Sequence, residues 1–144
     1  MAEQESPKPW GVGFGPVRQD RAPFTARQLW RLDEALTLSS LETGLTFSVY
    51  VGALDEPTHD HAERLHAGLG AVAPNAVLIA VSPGQRMLDI VTGERSAKRL
   101  PDRSLALAAL SMRASFSNGD LTGGLVNGLR MLADQAGRQR PGRD

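Results

Sequence analysis

The sequence contains no cysteine, which excludes disulfide bonds, a thiolate nucleophile and cysteine-ligated metal sites. It has no excess of either charge: sixteen acidic and sixteen basic residues give a formal net charge of zero. A neutral chain has no overall field to attract nucleic acid or an anionic membrane. It also lacks the run of about 18 apolar residues that a membrane span needs and the apolar core of a signal peptide. These absences predict a soluble, cytoplasmic protein that binds no nucleic acid.

Short motifs of common enzyme classes are also missing. The glycine-rich run GVGFGP at 11–16 lacks the lysine and the hydroxyl residue of a phosphate-binding loop. No Gly-x-Ser-x-Gly nucleophile elbow and no Asp-x-Asp-x-Asp-Gly calcium loop occurs. The sequence therefore favours a protein without catalytic activity.

The best-defined pattern is a hairpin in the middle of the chain. The run from Ala76 to Ser82 is apolar and β-branched, which is typical of a strand buried on both faces. Pro83 and Gly84 reverse the chain. The segment from Met87 to Thr92 then alternates in polarity, which predicts a second strand paired antiparallel with the first.

Helices and one more strand flank this hairpin. Thr25 and Gln28 form a capping-box pattern before a helix that runs to about Glu42, and 45–52 reads as a strand. A helix between that strand and the hairpin makes a βαβ unit with parallel strands. Two more helices follow, after Asp102 and after Asp120. Glycines at 124 and 128 inside the last helix predict close packing against a neighbour, or room for a ligand.

The predicted fold is an α/β protein, a three-layer α/β/α sandwich with a small mixed sheet. The length and the 41% apolar content suit one domain, which we place at 24–136. Residues 1–23 are rich in proline and glycine and predict a flexible tail, held by Trp10 or Phe14. Residues 137–144 form a short basic tail.

Charged residues at the ends of the predicted elements are the candidate site. Asp55, Asp102 and Asp120 each stand where an element begins or ends, and ligands in α/β proteins favour the crevice beyond the carboxyl ends of the strands. Together these acids would hold Ca²⁺ or Mg²⁺, the only cofactors that the pattern suggests; apart, they are ordinary helix caps. Arg86 at the hairpin turn is a candidate anion-binding residue.

Three histidines lie close together in the sequence, but their spacing does not suit a metal site. His59 and His61 are two residues apart, which directs them to different sides of a helix. His59 and His66 are two turns apart, a long reach for one ion. We therefore expect all three to be surface histidines.

The second half of the chain resembles the TPM domain family. The resemblance covers about 45–136 and is carried by the runs VLIAVSPGQRMLDIVTG, LPD and FSNGDLTGGLVNGLRMLA. The positions that match the family pattern are Val77–Ser82, Arg86, Thr92–Gly93, Phe116, Gly119–Asp120 and Gly124–Leu125.

This resemblance implies a small α/β/α sandwich and, as in some members, acids at the sheet edge that bind divalent cations. Family members include lumenal proteins of photosystem repair, some described as acid phosphatases, and they are typically exported. This chain has Glu94 to Ala97 where many members carry a Tyr-Gly-Leu-Glu run, so it looks like a soluble actinobacterial offshoot. We predict a non-enzymatic accessory module that binds a protein partner. The alternative is a metal-dependent phosphatase acting on phosphate esters. The sequence does not indicate the oligomeric state.

Overall fold

A computed structural model of the protein describes residues 10–15 and 23–138. Four strands and five helices form in these ranges, with short 3₁₀ turns at Gly70–Asn75 and Pro83–Gln85. The strands are β1 (Gly11–Phe14), β2 (Thr46–Val51), β3 (Ala76–Ser82) and β4 (Met87–Thr92); the helices are α1 (Ala26–Thr43), α2 (Thr58–Ala67), α3 (Ser96–Arg99), α4 (Asp102–Ser117) and α5 (Leu121–Ala136).

The four strands form one mixed sheet in the order β1-β2-β3-β4. β1, β2 and β3 are parallel, and β4 pairs antiparallel with β3. All seven residues of β3 are buried, because helices cover both faces of the sheet at this strand. The predicted hairpin, the parallel β2–β3 pair and the mixed sheet are confirmed.

β1 was not predicted, and it corrects the interpretation of residues 11–14 as part of a flexible tail. These residues pair with β2, from Gly11 beside Ser48 to Phe14 beside Val51. Trp10 holds the segment in place, as its indole Nε1–H donates a hydrogen bond of 2.9 Å to the Thr37 hydroxyl of α1. The remaining residues of the predicted tails, 1–9, 16–22 and 139–144, lie outside the described residues.

The helices divide unevenly between the two faces of the sheet. α1, α4 and α5 cover one face, where their side chains form the larger core with Phe47, Val49 and Ile79 of the strands. α2 covers the other face through Ala62 and Leu65, against a smaller set of strand residues. The protein is therefore a three-layer α/β/α sandwich, as the sequence predicts. None of the helices in the described ranges combines the length and the hydropathy needed to cross a membrane.

Local signals explain the ends of α1 and the close approach of α5 to α4. The capping box of Thr25 and Gln28 is formed at the start of α1, and Gly44 ends that helix in the left-handed conformation. A Cβ atom on Gly128 would lie 2.6 Å from the Met112 side chain of α4. The predicted close packing of the glycines in α5 is confirmed, because α4 side chains occupy the space that a ligand would need.

Candidate functional site

A cleft of about 540 Å³ opens at the carboxyl end of β3. In α/β proteins this is the end of the sheet where ligands bind. One wall is the turn between β3 and β4, and the opposite wall is the connection from α4 to α5. The lining residues are Val81, Ser82, Pro83, Arg86, Met87, Leu88, Arg113, Phe116, Ser117, Gly119 and Leu121.

The β3–β4 turn is fixed by a side-chain anchor next to the cleft. Gln85 accepts a hydrogen bond of 2.8 Å from the Leu54 N–H and donates one of 2.9 Å to the Leu54 carbonyl. The Ser82 hydroxyl also donates to the Gln85 side chain. These bonds tie the turn to the loop after β2, so Arg86 follows a rigid anchor.

Arg86 adopts the left-handed conformation, with φ 56° and ψ 42°. No other non-glycine residue in the described ranges has a positive φ. Its N–H donates to the Pro83 carbonyl at 3.2 Å, which closes the 3₁₀ turn. Outside glycine this conformation costs about 1–3 kcal/mol, and such residues cluster at functional sites.

The opposite wall of the cleft depends on the tight connection between α4 and α5. Gly119 has a φ of 82°, which favours glycine. Asp120 then caps α5 by accepting a hydrogen bond of 2.8 Å from the Gly123 N–H. Gly124 allows α5 to approach Phe116 so closely that a Cβ atom there would lie 2.7 Å from the ring. These contacts hold Phe116 against the cleft.

Two arginines, Arg86 and Arg113, are among the lining residues of this otherwise largely apolar cleft. Arg113 donates a long hydrogen bond of 3.4 Å from Nη2 to the Leu88 carbonyl, and its side chain makes no further hydrogen bond within the described residues. Within the described residues, neither Arg86 nor Arg113 forms an ion pair with a carboxylate. Unpaired guanidinium groups are well suited to bind a carboxylate or a phosphate, since each presents a planar fork of N–H donors.

The three predicted metal ligands belong to different parts of the chain: the loop before α2, the start of α4 and the cap of α5. Asp120 is a helix cap, as the alternative interpretation expects. Asp102 is the first residue of α4. The cap position of this helix is Pro101, and no side chain makes a capping hydrogen bond at this end. The prediction that Asp102 caps the helix is therefore wrong. Asp55 lies in the loop before α2, where its N–H donates 2.7 Å to His61 Nδ1. Across 10–15 and 23–138, no three His, Asp or Glu side chains form a group that could hold a metal ion.

The prediction of three surface histidines is correct only for His59. This side chain is 62% exposed and lies 2.7 Å from Asp89 and 3.1 Å from Glu63. The hydrogen bond to Asp89 and the charge of that carboxylate raise the pKa of His59. His66, in contrast, is buried, and its Nε2 lies 3.1 Å from the Ala76 carbonyl oxygen. His61 is partly buried, with 17% of its side chain exposed.

Tyr50 lies next to His61 on the α2 side of the sheet, with ring centroids 6.1 Å apart. Its hydroxyl donates a hydrogen bond of 2.7 Å to the Ala53 carbonyl. Partial burial and, secondly, the charge of Asp55 raise the pKa of Tyr50. These contacts stabilise the loop after β2.

The sequence indicates Arg86 as a candidate site residue but does not indicate Arg113. The turn gave a signal for Arg86, because an arginine directly after Pro-Gly-Gln projects from a reversal of the chain. Arg113 stands inside α4 and gives no local signal that separates it from Arg103 of the same helix, since both residues are exposed. Only the packing of α4 beside β4 brings Arg113 to the Leu88 carbonyl.

The chain is similar to two uncharacterised proteins of Mycobacterium tuberculosis, Rv2468c of strain H37Rv and MT2543 of strain CDC 1551. Each is 33% identical over 111 residues, which cover 77% of this chain. The match spans 66% of the length of these relatives, slightly less than two thirds.

Solved structures from other bacteria share the fold. The BA42 protein of Bizionia argentinensis superposes with a TM-score of 0.73 at 17% identity, over 81% of this chain and 86% of its own. The N-terminal domain of cg2496 from Corynebacterium glutamicum has a TM-score of 0.71 at 14% identity, over 99% and 90% of the two chains. An N-terminal domain from P. gingivalis has a TM-score of 0.72 at 19% identity, over 86% and 80%. At these identities the likeness concerns the fold alone.

A family model described as a domain of unknown function, DUF5130, matches residues 12–133, which include every strand and helix of the sandwich except the first residue of β1 and the last residues of α5. The resemblance to the TPM domain family stays a hypothesis beside this match. The chain belongs to the DUF5130 family.

Proposed function

We propose that this domain is a non-enzymatic binding module that recognises an anionic group of a partner in the cleft between Arg86 and Arg113. The observation that carries the proposal is the left-handed conformation of Arg86 on the wall of that cleft. A glycine would adopt this conformation without strain. The turn itself therefore gives no reason for an arginine at position 86, whereas binding by its side chain does.

The surroundings of the two arginines support anion binding. Apolar side chains from Leu88, Phe116 and Leu121 line the cleft beside them, so the apolar part of a ligand can pack there. Arg86 and Arg113 are both exposed and therefore accessible to its anionic group. Because no carboxylate pairs with either arginine in the described part of the chain, an incoming anion replaces only water.

A phosphatase activity would need carboxylates that gather around one metal ion to polarise the phosphate. The arrangement of Asp55, Asp102 and Asp120 gives this alternative no support, since each belongs to the start of a different helix or to the loop before it. Binding through the two arginines needs no metal ion. The proposal includes a cytoplasmic location and a protein as the binding partner.

Titration with two small anions, followed by ¹H–¹⁵N NMR, tests the proposal. Benzoate and phenyl phosphate each combine an anion with an apolar ring. We expect at least one of them to shift the amide signals of Arg86, Leu88 and Gly119, and we expect Arg86→Gly and Arg113→Gln each to weaken that binding at least fivefold. Arg103→Gln, on the exposed side of α4, is the matched control and should bind as the natural protein does.

Two results would overturn the proposal. The first is the absence of shifts around the cleft with both anions at concentrations of tens of millimolar. The second is binding that Arg103→Gln weakens as much as Arg86→Gly. Release of phosphate from phenyl phosphate, measured in the same samples with and without added Mg²⁺, would contradict the non-enzymatic assignment.

A further inference from the structure

We infer that the anion is the terminal carboxylate of a partner polypeptide, bound as an added strand along β4 with its last, apolar side chain in the cleft. This inference rests on the proposed function and specifies its ligand. It combines three features of the same region: a sheet edge that pairs with no further strand of the described residues, the direction of β4, and the charge of the cleft.

The first feature is the edge that β4 presents. β4 is the last strand in the sheet order. Leu88 lies opposite Val81 of β3. The Val81 carbonyl, however, accepts a hydrogen bond of 3.0 Å from the Gly52 N–H, which lies on the β2 side of β3. The backbone of Leu88 therefore points away from β3, and its carbonyl meets Arg113 instead. Such an edge is where an extended peptide adds to a sheet.

The second feature is the direction of the strand. β4 begins at Met87, beside the cleft, and runs away from it towards Thr92. A peptide that pairs antiparallel with β4 runs the opposite way and ends at Met87. Its terminal carboxylate then lies between Arg86 and Arg113. A peptide in the parallel direction would bring its positively charged amino terminus to the two arginines, which like-charge repulsion disfavours.

The third feature is the balance of charge and apolar surface. Two arginines favour an anion, but Asp120 lies next to the lining residues Gly119 and Leu121, and its carboxylate already caps α5. A single negative charge is therefore better accommodated than the double charge of a phosphate ester. Phe116, Leu88 and Leu121 offer contacts to an apolar side chain. The cleft volume of about 540 Å³ is large enough for one such side chain and the terminal carboxylate.

The test uses an acetylated pentapeptide of alternating threonine and valine that ends in phenylalanine with a free carboxylate. The same peptide with a terminal amide is the charge control, and N-acetylphenylalanine tests whether the preceding residues contribute. We expect the free-acid peptide to bind at least tenfold more tightly than the amide, because the amide lacks the charged acceptor for the two arginines. We expect it to bind at least tenfold more tightly than N-acetylphenylalanine as well, because that compound lacks the residues that would pair with β4. It should also shift the amide signals of Leu88, Ile90 and Thr92, which lie along the open edge.

Substitutions of the two arginines test whether the peptide binds in the cleft. Arg86→Gly and Arg113→Gln should each reduce the affinity for the free-acid peptide at least tenfold, towards that of the amide. Arg103→Gln should leave it unchanged.

The other outcomes separate this inference from the proposed function. Binding of phenyl phosphate at the two arginines, without binding of the free-acid peptide, would overturn the carboxylate assignment and leave the anion site intact. Equal affinities for the peptide and N-acetylphenylalanine would overturn strand addition and identify a free small acid as the ligand. Equal affinities for peptide acid and amide would overturn recognition of the terminus. No binding of any probe would contradict both proposals.

Discussion

Arg99 holds the ends of two helices together, and its replacement is expected to destabilise the fold. It lies at the end of α3 and donates a hydrogen bond of 2.7 Å from Nη1 to the Thr43 carbonyl of α1. Its other N–H groups donate to the Ala136 carbonyl at 3.1 and 3.3 Å and to the Gly137 carbonyl at 2.7 Å, at the end of α5. One cation thus satisfies three carbonyls at two helix C-termini, where the helix dipole favours positive charge.

The magnitude follows from these three acceptors. A net hydrogen bond contributes about 0.5–1.5 kcal/mol, and bonds from charged groups contribute more. Since Arg99 is only half-buried, we assign about 1 kcal/mol to each carbonyl, so Arg99→Ala should cost about 3 kcal/mol. Arg99→Lys should recover about a third of that loss, because an ammonium group cannot reach all three carbonyls with the geometry of a guanidinium.

Urea unfolding measures this loss. With a slope of about 2 kcal/mol per molar urea, the midpoint should fall by roughly 1.5 M for Arg99→Ala. Arg95→Ala is the matched control, as Arg95 is exposed and its side chain makes no hydrogen bond in the described ranges. A loss below 1 kcal/mol, equal to that of the control, would refute the role assigned to Arg99.

Three further predictions concern packing, pH and metal ions. Gly93→Ala should cost at least about 3 kcal/mol in urea unfolding, because the new Cβ would lie 2.1 Å from the backbone oxygen of Ala73; a loss below 1 kcal/mol would contradict this packing. The pKa of His59 is raised by Asp89. The contribution of His59 to the free energy of unfolding is therefore fully present below the pKa of the unfolded state and is lost as pH rises through the folded-state pKa. His59→Asn should therefore destabilise the protein more at pH 5.5 than at pH 8.5, and an equal loss at both would contradict the assignment. EDTA or millimolar Ca²⁺, Mg²⁺ or Mn²⁺ should leave the Tm unchanged; a rise that Asp120→Ala abolishes would support the metal hypothesis instead.

Much of the fold follows from local patterns in the sequence. The apolar run of β3, the reversal at Pro83 and the capping box of α1 each reflect an interaction within a few residues, so the pattern alone predicts them. β1 could not be predicted in this way. Its four residues, GVGF, include two glycines and show no polar alternation, and they become a strand because β2 offers a partner and Trp10 bonds to Thr37.

The candidate site was predictable only in part, because its two arginines come from distant elements. Arg86 follows a turn that the sequence marks clearly, whereas Arg113 depends on how α4 packs beside β4. His66 illustrates the same limit, since its burial depends on the Ala76 carbonyl that satisfies it. The prediction of a common site for the acids relied on their positions at element ends, which does not determine their spacing in three dimensions.

The central claim is that Arg86 serves a ligand at some cost to the turn, and one pair of measurements on Arg86→Gly tests it. Glycine relieves the left-handed strain but adds freedom to the unfolded chain, so we expect the free energy of unfolding to stay the same or to rise by up to about 1 kcal/mol. The affinity for whichever of benzoate and phenyl phosphate the natural protein binds should fall at least fivefold in the same protein. A folded Arg86→Gly protein that binds both anions as the natural protein does would contradict the claim.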